Sequence, residues 1–436
     1  MTIDTTPSTI DQPAAATPRP VAEPQRIVAM DVLRGFALLG ILAMNIRAFA
    51  SPFAAYFNPL TMYDYSGASR AAYWATTLVF DTKMMSIFSM LFGAGAMIYA
   101  RKETGPETST TRLWYRRNFW LLVIGLVHAY LIWDGDILVV YSLCAFLFLW
   151  WTRKLPAWLL VLLAAVMFAI GGLLGVGHAV FFDQMPPEAQ AEEMALWQPT
   201  PEGLEEELAV FRDGYLGIVV HRAPNALMIH TFYFLVFFLW RSGGMMVLGQ
   251  ALMKWNVLTG ARSRGFYLAL ALVGYAVGLP LVAIGLAQLE AVRFAVPQRF
   301  MLDLYNYFGS IAVALGHVGL VLWLFQVWPS SSAFVRLAAV GRMALTNYLM
   351  QSLICTTLLY GYGFNLFGRL DYAWQLVVVL VVWGLQLVLS PWWLQRFRFG
   401  PMEWLWRWLT YGTRPPMKRR PAPAGVLTGS PPAAGS

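Results

Sequence analysis

Long apolar runs alternate along this chain with short polar or basic stretches. Windows of about 18 or more largely apolar residues mark membrane helices. They predict ten, near 28–50, 72–100, 118–133, 137–151, 157–182, 226–253, 265–290, 308–328, 334–360 and 373–395. The third and fourth are short and are split only by Asp134, Gly135 and Asp136. That triplet reads as the turn of a tight hairpin, with Asp134 a turn residue and Asp136 placed to cap the next helix. The one sizeable loop is 183–225, whose stretch PEGLEEELAVFRDGYLG has helical apolar spacing. It reads either as an amphipathic lid or as a solvated surface helix.

Composition fixes the class. The 436 residues are 58% hydrophobic and only 12% charged, where soluble domains run near a quarter charged. The predicted fold is an all-α polytopic membrane protein with about ten transmembrane helices. If both termini are cytoplasmic, 21 of the Lys and Arg fall in cytoplasmic segments and six outside, with Arg34, Arg47, Lys83 and Arg241 inside spans. Such a bias orients membrane proteins, so the net charge of +8 is topogenic and no nucleic-acid partner is implied. Residues 1–25 and 414–436, rich in Pro, Ala, Thr and Gly, read as disordered cytoplasmic tails around one transmembrane domain, 26–413, with 183–225 as its external loop. No cleavable signal peptide is visible. FGPMEWLWRWLTYG, residues 399–412, fits a helix lying at the cytoplasmic headgroups as an anchor. Membrane lipids are therefore partners. Oligomeric state is not legible.

Polar residues inside apolar spans are costly and therefore informative. In the first span Asp31, Arg34 and Asn45 share one helical face, the last two about 16 Å apart along the axis. The pair Asp31 and Arg34 either snorkels at the boundary as an ion pair or looks into the protein. Asp81 and Lys83, two apart, do not share a face, so each needs its own partner. His128 lies beneath the Asp134–Asp136 turn, where an acid would orient the imidazole. His230 sits a turn into the sixth span. His317, in mid-span, reads as a core histidine bonded to a backbone carbonyl, while His178 and His221 border the loop. Arg241, followed by Ser-Gly-Gly, reads as a structural arginine capping carbonyls. Sorted by depth, Asp31, Arg34 and Arg342 form a cytoplasmic layer. Asn45, Asp81, Lys83, His128, Asp136 and His230 form an outer one. The two layers suggest a route through the bundle lined by the first helix. FGAGA at 92–96 reads as a helix-packing stripe. The two cysteines, Cys144 and Cys355, read as small core residues, and no metal-binding motif is present.

MDVLRGFALLGILAMN (30–45), MMSIFSMLFGAGAMIYAR (84–101), LLVIGLVHAYLIWDGDIL (121–138) and FFLWRSGGMMVLGQAL (237–252) together resemble the YeiB family of bacterial membrane proteins. Residues 249–413, with GRMALTNYLMQSLIC (341–355) and SPWWLQRFRFGPMEWLWRWLTYG (390–412), resemble domain of unknown function 418. The resemblance implies a multi-pass protein of the bacterial cytoplasmic membrane. The opening Asp-x-x-Arg-Gly is also similar, more distantly, to transmembrane acyltransferases: acyltransferase family three and the heparan-glucosaminide N-acetyltransferases. Those proteins move an acyl group from cytoplasmic acyl-CoA to a sugar across the membrane. In the first of them the position eleven after the arginine is a histidine; here it is Asn45, which cannot act as a base. The second also places Asn there but draws a histidine from the following segment, and 51–71 here contains none. What this more distant similarity implies is acyl-CoA as donor, with acetyl-CoA the simplest case, and an envelope glycan, lipid or small molecule as acceptor. Arg34, with Asp31, would meet the donor, His128 with Asp136 would be the base, and Asn45 would polarise the acyl carbonyl. The alternative is a transporter of a small solute or lipid, with Asp81, Lys83, His230 and Arg241 as further polar candidates.

Overall fold

A computed structural model describes residues 27–100 and 107–419, and the expected tail 1–25 lies outside them. The described chain is a helical bundle. Helix α1 is Val28–Ala50, α2 Phe53–Phe57, α3 Gly67–Val79 and α4 Lys83–Ala100. Helix α5 is Glu107–Val127, continued by a π-helical turn, His128–Ile132. Then come α6 (Leu138–Thr152), α7 (Ala157–Phe181), α8 (Pro187–Trp197), α9 (Pro201–Arg212) and α10 (Tyr215–Lys254). The second half holds α11 (Arg264–Ala291), α12 (Val296–Val327), α13 (Ser332–Arg342), α14 (Ala344–Leu359), α15 (Tyr372–Arg396) and α16 (Pro401–Tyr411).

Among the described residues, seven helices are long and apolar enough to cross a membrane, and they fall on seven of the ten predicted segments. The other three depart for separate reasons. The segment 118–133 is the apolar half of α5, whose first half carries Arg112, Arg116 and Arg117. The segment 137–151 becomes α6, which is short. The segment 334–360 is broken at Met343, and the open N-terminal amides of α14 are met by a carboxylate from elsewhere: Leu345 N and Thr346 N donate to Glu403 Oε1 at 2.6 and 3.1 Å. That contact ties α16 into the bundle, so this helix is more than a headgroup anchor.

Burial sorts centre from rim. The most apolar window of α1 is 78% buried, whereas those of α7, α11 and α15 are 28% buried. Apolar surface that is left uncovered on the latter, such as Leu173, Val273 and Leu380, is the lipid-facing kind. Helix α1 runs through the middle, against α4, α12, α13, α14 and α15. Helix α4 packs tightly on α10: a methyl on Gly93 would lie 1.9 Å from the Met246 carbonyl oxygen, so FGAGA is a packing stripe as read.

Three expectations are refined. Of the two readings of 201–217, the amphipathic helix fits and the solvated one does not, residues Pro201–Arg212 being helical with one side packed. Helix α9 starts with Thr200 Oγ1 accepting from Gly203 N (3.2 Å) and Pro201 at its first position. It then buries Leu208 and Phe211 against the bundle, Phe211 stacking on Phe367 at 4.3 Å. Leu204, Leu208 and Phe211 form the packed side, and Glu207 joins it by accepting from Phe53 N at 3.0 Å. The sixth predicted span also starts earlier, at Tyr215. At the other end, 414–419 do not begin the tail: Arg398 N donates to the Met417 carbonyl (2.9 Å) and Arg419 N to that of Arg396 (3.2 Å).

Candidate functional site

The π-helical turn that ends α5 swings His128 away from the regular helical track and buries it, 1% exposed. Turns of this kind recur where a side chain must be re-aimed. The backbone then bends and α6 begins at Leu138. Asp136 serves both sides of that bend. Its Oδ1 accepts from Val139 N at 2.8 Å, the capping bond, and its Oδ2 accepts from His128 Nδ1 at 2.7 Å. The two readings of Asp136, cap and imidazole partner, are both correct, one oxygen each.

A carboxylate only accepts, so Nδ1 carries a proton, and in the neutral imidazole Nε2 presents its lone pair. Facing Nε2 is Ser352 of α14, Oγ at 2.9 Å. Asp136 and Ser352 are 2% and 1% exposed. One turn before Ser352, Tyr348 lays its ring 5.1 Å from the imidazole and its hydroxyl accepts from Ile137 N at 3.3 Å. Hydroxyl, imidazole and carboxylate are thus in series. Sequence reasoning found the second and third and missed Ser352 and Tyr348. Both lie in the 341–355 motif, which was the available signal.

The imidazole is linked to α1 through Trp133, whose ring is 6.4 Å from His128 and stacks on Phe49 at 4.1 Å. At 100° per residue, Phe49, Asn45, Leu38, Arg34 and Asp31 fall within about 60° of one another on α1. Asn45 is half-buried on this face and its side chain makes no hydrogen bond among the described residues. Toward the basic end, Leu38 and Leu39 of α1 close with Leu121, Ile124, Phe88, Phe92, Leu345 and Tyr348 into an apolar column. Beyond it Arg34 Nη1 donates to Asp31 Oδ1 at 3.0 Å. The ion pair read from the sequence forms, with side chains 28% and 6% exposed. Arg117, on Trp406 at 3.9 Å, adds charge close to Arg34.

The remaining candidates lie elsewhere. Arg47, two residues before Phe49, points to the other side of α1, where its Nη2 donates to Thr77 Oγ1 (3.4 Å). The chain between α3 and α4 is kinked at Thr82, φ 60°. Here Lys83 Nζ donates to the Thr77 carbonyl (2.7 Å) and to Asn306 Oδ1 (2.6 Å). Asn306 Nδ2 donates in turn to Asp81 Oδ2 (3.3 Å). Asp81 and Lys83 each have a partner of their own, Tyr56 Oη donating to Asp81 Oδ1 at 3.4 Å and Lys83 donating to the Thr77 carbonyl, and in addition the Asn306 amide serves both. A cavity of about 40 Å³, room for one or two waters, is lined here by Arg47, Tyr56, Asp81, Arg299, Asp303 and Asn306.

Arg241 sits near this group, fully buried, its Nη2 donating to Ser86 Oγ (2.9 Å) and Ser310 Oγ (2.7 Å). It therefore does not cap carbonyls; Nε and Nη1 have no hydrogen-bond partner among the described residues. His230 lies 6.0 Å from Tyr130, and neither ring nitrogen has a hydrogen-bond partner. His317 does bond a carbonyl, that of Val79, from Nε2 at 2.9 Å. The single outer layer expected from depth alone is two clusters on different faces of α1, because position along a helix says nothing about azimuth.

Helices of this length and apolarity around a buried polar centre define an all-α polytopic membrane protein. Residues 252–413 match the family model described as protein of unknown function (DUF418). The chain is 33% identical over 398 residues to "Uncharacterized protein YeiB" of Escherichia coli (strain K12), covering 88% of this chain and 96% of that one. It is 30% identical over 421 residues to "Uncharacterized protein YxaH" of Bacillus subtilis (strain 168), covering 92% and 98%. The chain belongs to the YeiB family.

Proposed function

We propose that this protein is a membrane acyltransferase of the bacterial cytoplasmic membrane, moving an acyl group from acyl-CoA to a hydroxyl or amine on an envelope glycan, lipid or small molecule. The observation that carries this reading is the buried bond from His128 Nδ1 to Asp136 Oδ2, 2.7 Å. It leaves Nε2 as a base of fixed tautomer. Arg34 and Arg117 supply cations for the phosphates of CoA at the end that the charge bias assigns to the cytoplasm. The apolar column between Arg34 and His128 suits the acyl and pantetheine parts of the donor. The Asn45 amide, with no bond of its own, is available to polarise the acyl carbonyl.

A second reading, transport of a small solute, is favoured by the kink between α3 and α4. There Arg47, Asp81 and Asn306 line a cavity inside the bundle, and Lys83 donates to that asparagine; broken helices with buried charges mark transport sites. Acetyl-CoA binding to purified protein in nanodiscs separates the two. Acyl transfer requires saturable binding that Arg34→Ala weakens by about tenfold, the loss of one charged hydrogen bond, and that His128→Ala spares. Absence of binding by folded wild type to acetyl-CoA and to longer acyl-CoA sets this reading aside in favour of transport.

A further inference from the structure

Serine and threonine hydroxyls inside membrane helices usually bond back to a carbonyl of their own helix. Several do so here: Thr76 to Ala72, Ser142 to Leu138, Thr231 to Leu227. Ser352 does not. Among the described residues its hydroxyl has one hydrogen-bond partner, His128 Nε2, on a helix more than two hundred residues away in the chain. With the imidazole neutral and Asp136 ionised, the partner nitrogen is the unprotonated one and the hydroxyl is the donor. A donating serine, an accepting imidazole and a carboxylate on the far nitrogen are the arrangement that activates a serine for attack on an acyl carbon. Tyr348, on the same helix one turn away, packs on the imidazole and fixes its plane relative to α14.

We propose that Ser352 is the nucleophile of this site and carries the acyl group as an ester between donor and acceptor. The inference rests on the acyl-transfer reading for the identity of the donor. In the first half-reaction Ser352 Oγ bonds to the thioester carbonyl carbon and the carbon–sulfur bond breaks. The serine proton passes to His128 Nε2 and then to the leaving thiolate, releasing CoA as the thiol. In the second, the acceptor oxygen or nitrogen bonds to the acyl carbon and the ester bond to Oγ breaks. The acceptor proton passes through Nε2 back to Ser352. Asp136 holds the tautomer throughout and is a positioning residue. Enclosure of all three side chains keeps water from the ester, and a covalent intermediate lets donor and acceptor occupy the site in turn from opposite sides of the membrane.

The test uses the full chain in nanodiscs and two probes. A fluorophosphonate reports nucleophilicity at Ser352 whatever the natural donor is, and [1-14C]acetyl-CoA reports the acyl ester. The expected result is a phosphonyl adduct and an acetyl ester, both mapped by peptide mass to Ser352 and both lost in Ser352→Ala. Turnover should fall more than about 100-fold in Ser352→Ala. Ser352→Cys, nearly isosteric, should keep the fold and form a thioester instead. A phosphonyl adduct at Ser352 without acetyl transfer upholds the nucleophile and removes the acyl-CoA reading. Acetyl transfer that needs His128 but proceeds at wild-type rate in folded Ser352→Ala, with no adduct, overturns the nucleophile and leaves the acyl-transfer reading standing.

Discussion

Gly35 of α1 and Gly341 of α13 lie against each other where the two helices cross. A methyl on Gly35 would come 2.0 Å from the Leu337 carbonyl oxygen, and one on Gly341 would come 1.9 Å from that of Asp31. The crossing explains why the Asp-x-x-Arg motif of the first span ends in glycine, and why 341–355 begins with one. It sets the depth of Asp31 and Arg34 and holds α1 against the α13–α14 pair that carries Ser352.

Neither clash is with a flexible side-chain end, so alanine at either position must push backbone aside. We expect Gly35→Ala and Gly341→Ala each to destabilise the protein by about 3 kcal/mol, the upper part of the overpacking range. Gly95→Ala, with nothing within 4 Å of the added carbon, should be neutral. Thermal unfolding in detergent compares the three directly; a Gly35→Ala midpoint equal to that of Gly95→Ala would remove the crossing from this account.

The dyad carries a sharper prediction. Asparagine at 136 can donate to Nδ1, which turns the imidazole to the tautomer with the proton on Nε2 and ends its use as a base. With the acyl-transfer reading, Asp136→Asn should lower turnover of acetyl-CoA at least about 100-fold while leaving donor affinity unchanged, since a tautomer change in the analogous soluble triad costs about 10⁴ in rate. Loss of affinity in parallel with rate would mean that Asp136 holds the fold and not the base.

How much of this was legible in the sequence depended on whether local pattern decides it. Seven of the ten apolar segments became helices long enough to span, because apolar length is a local property. The break at Met343 was not legible, since Glu403, which satisfies the free amides there, lies 58 residues further on. His128 and Asp136, eight apart on either side of a turn, could be paired by reading. Ser352 is 224 residues from His128 and Asn306 is 225 from Asp81; on apolar helices they look like ordinary polar guests until the fold brings them across. Arg241 shows the same limit in another form, because its partners are hydroxyls on two distant helices.

The Lys83 cluster makes a prediction about stability. Lys83 is fully buried and holds Asn306, which holds Asp81. Removing one member of a buried charged set costs about 3–5 kcal/mol because the remaining charge loses its compensation. Lys83→Met should therefore be strongly destabilising, and Lys83→Met/Asp81→Asn should recover part of the loss. Additive losses in the double variant, measured as a thermodynamic cycle, would show that the two charges are not coupled through Asn306.

Glu403 supplies a pH test outside the spans. Its carboxyl caps α14 and also accepts from Thr346 Oγ1 at 2.6 Å, yet burial outweighs these bonds and raises it above the ordinary 4.5. A folded-state value above the unfolded one means that the folded chain holds this proton more tightly. The stabilising contribution of protonation is then complete below 4.5 and is lost as pH rises through the folded-state value. Wild type should thus gain stability relative to Glu403→Gln as the pH is lowered from neutral toward 4.5, because glutamine has nothing to protonate. Unfolding midpoints of the two proteins at matched pH values give the answer, and a difference that stays constant or shrinks on acidification would place the carboxylate, not the acid, as the form that the cap of α14 prefers.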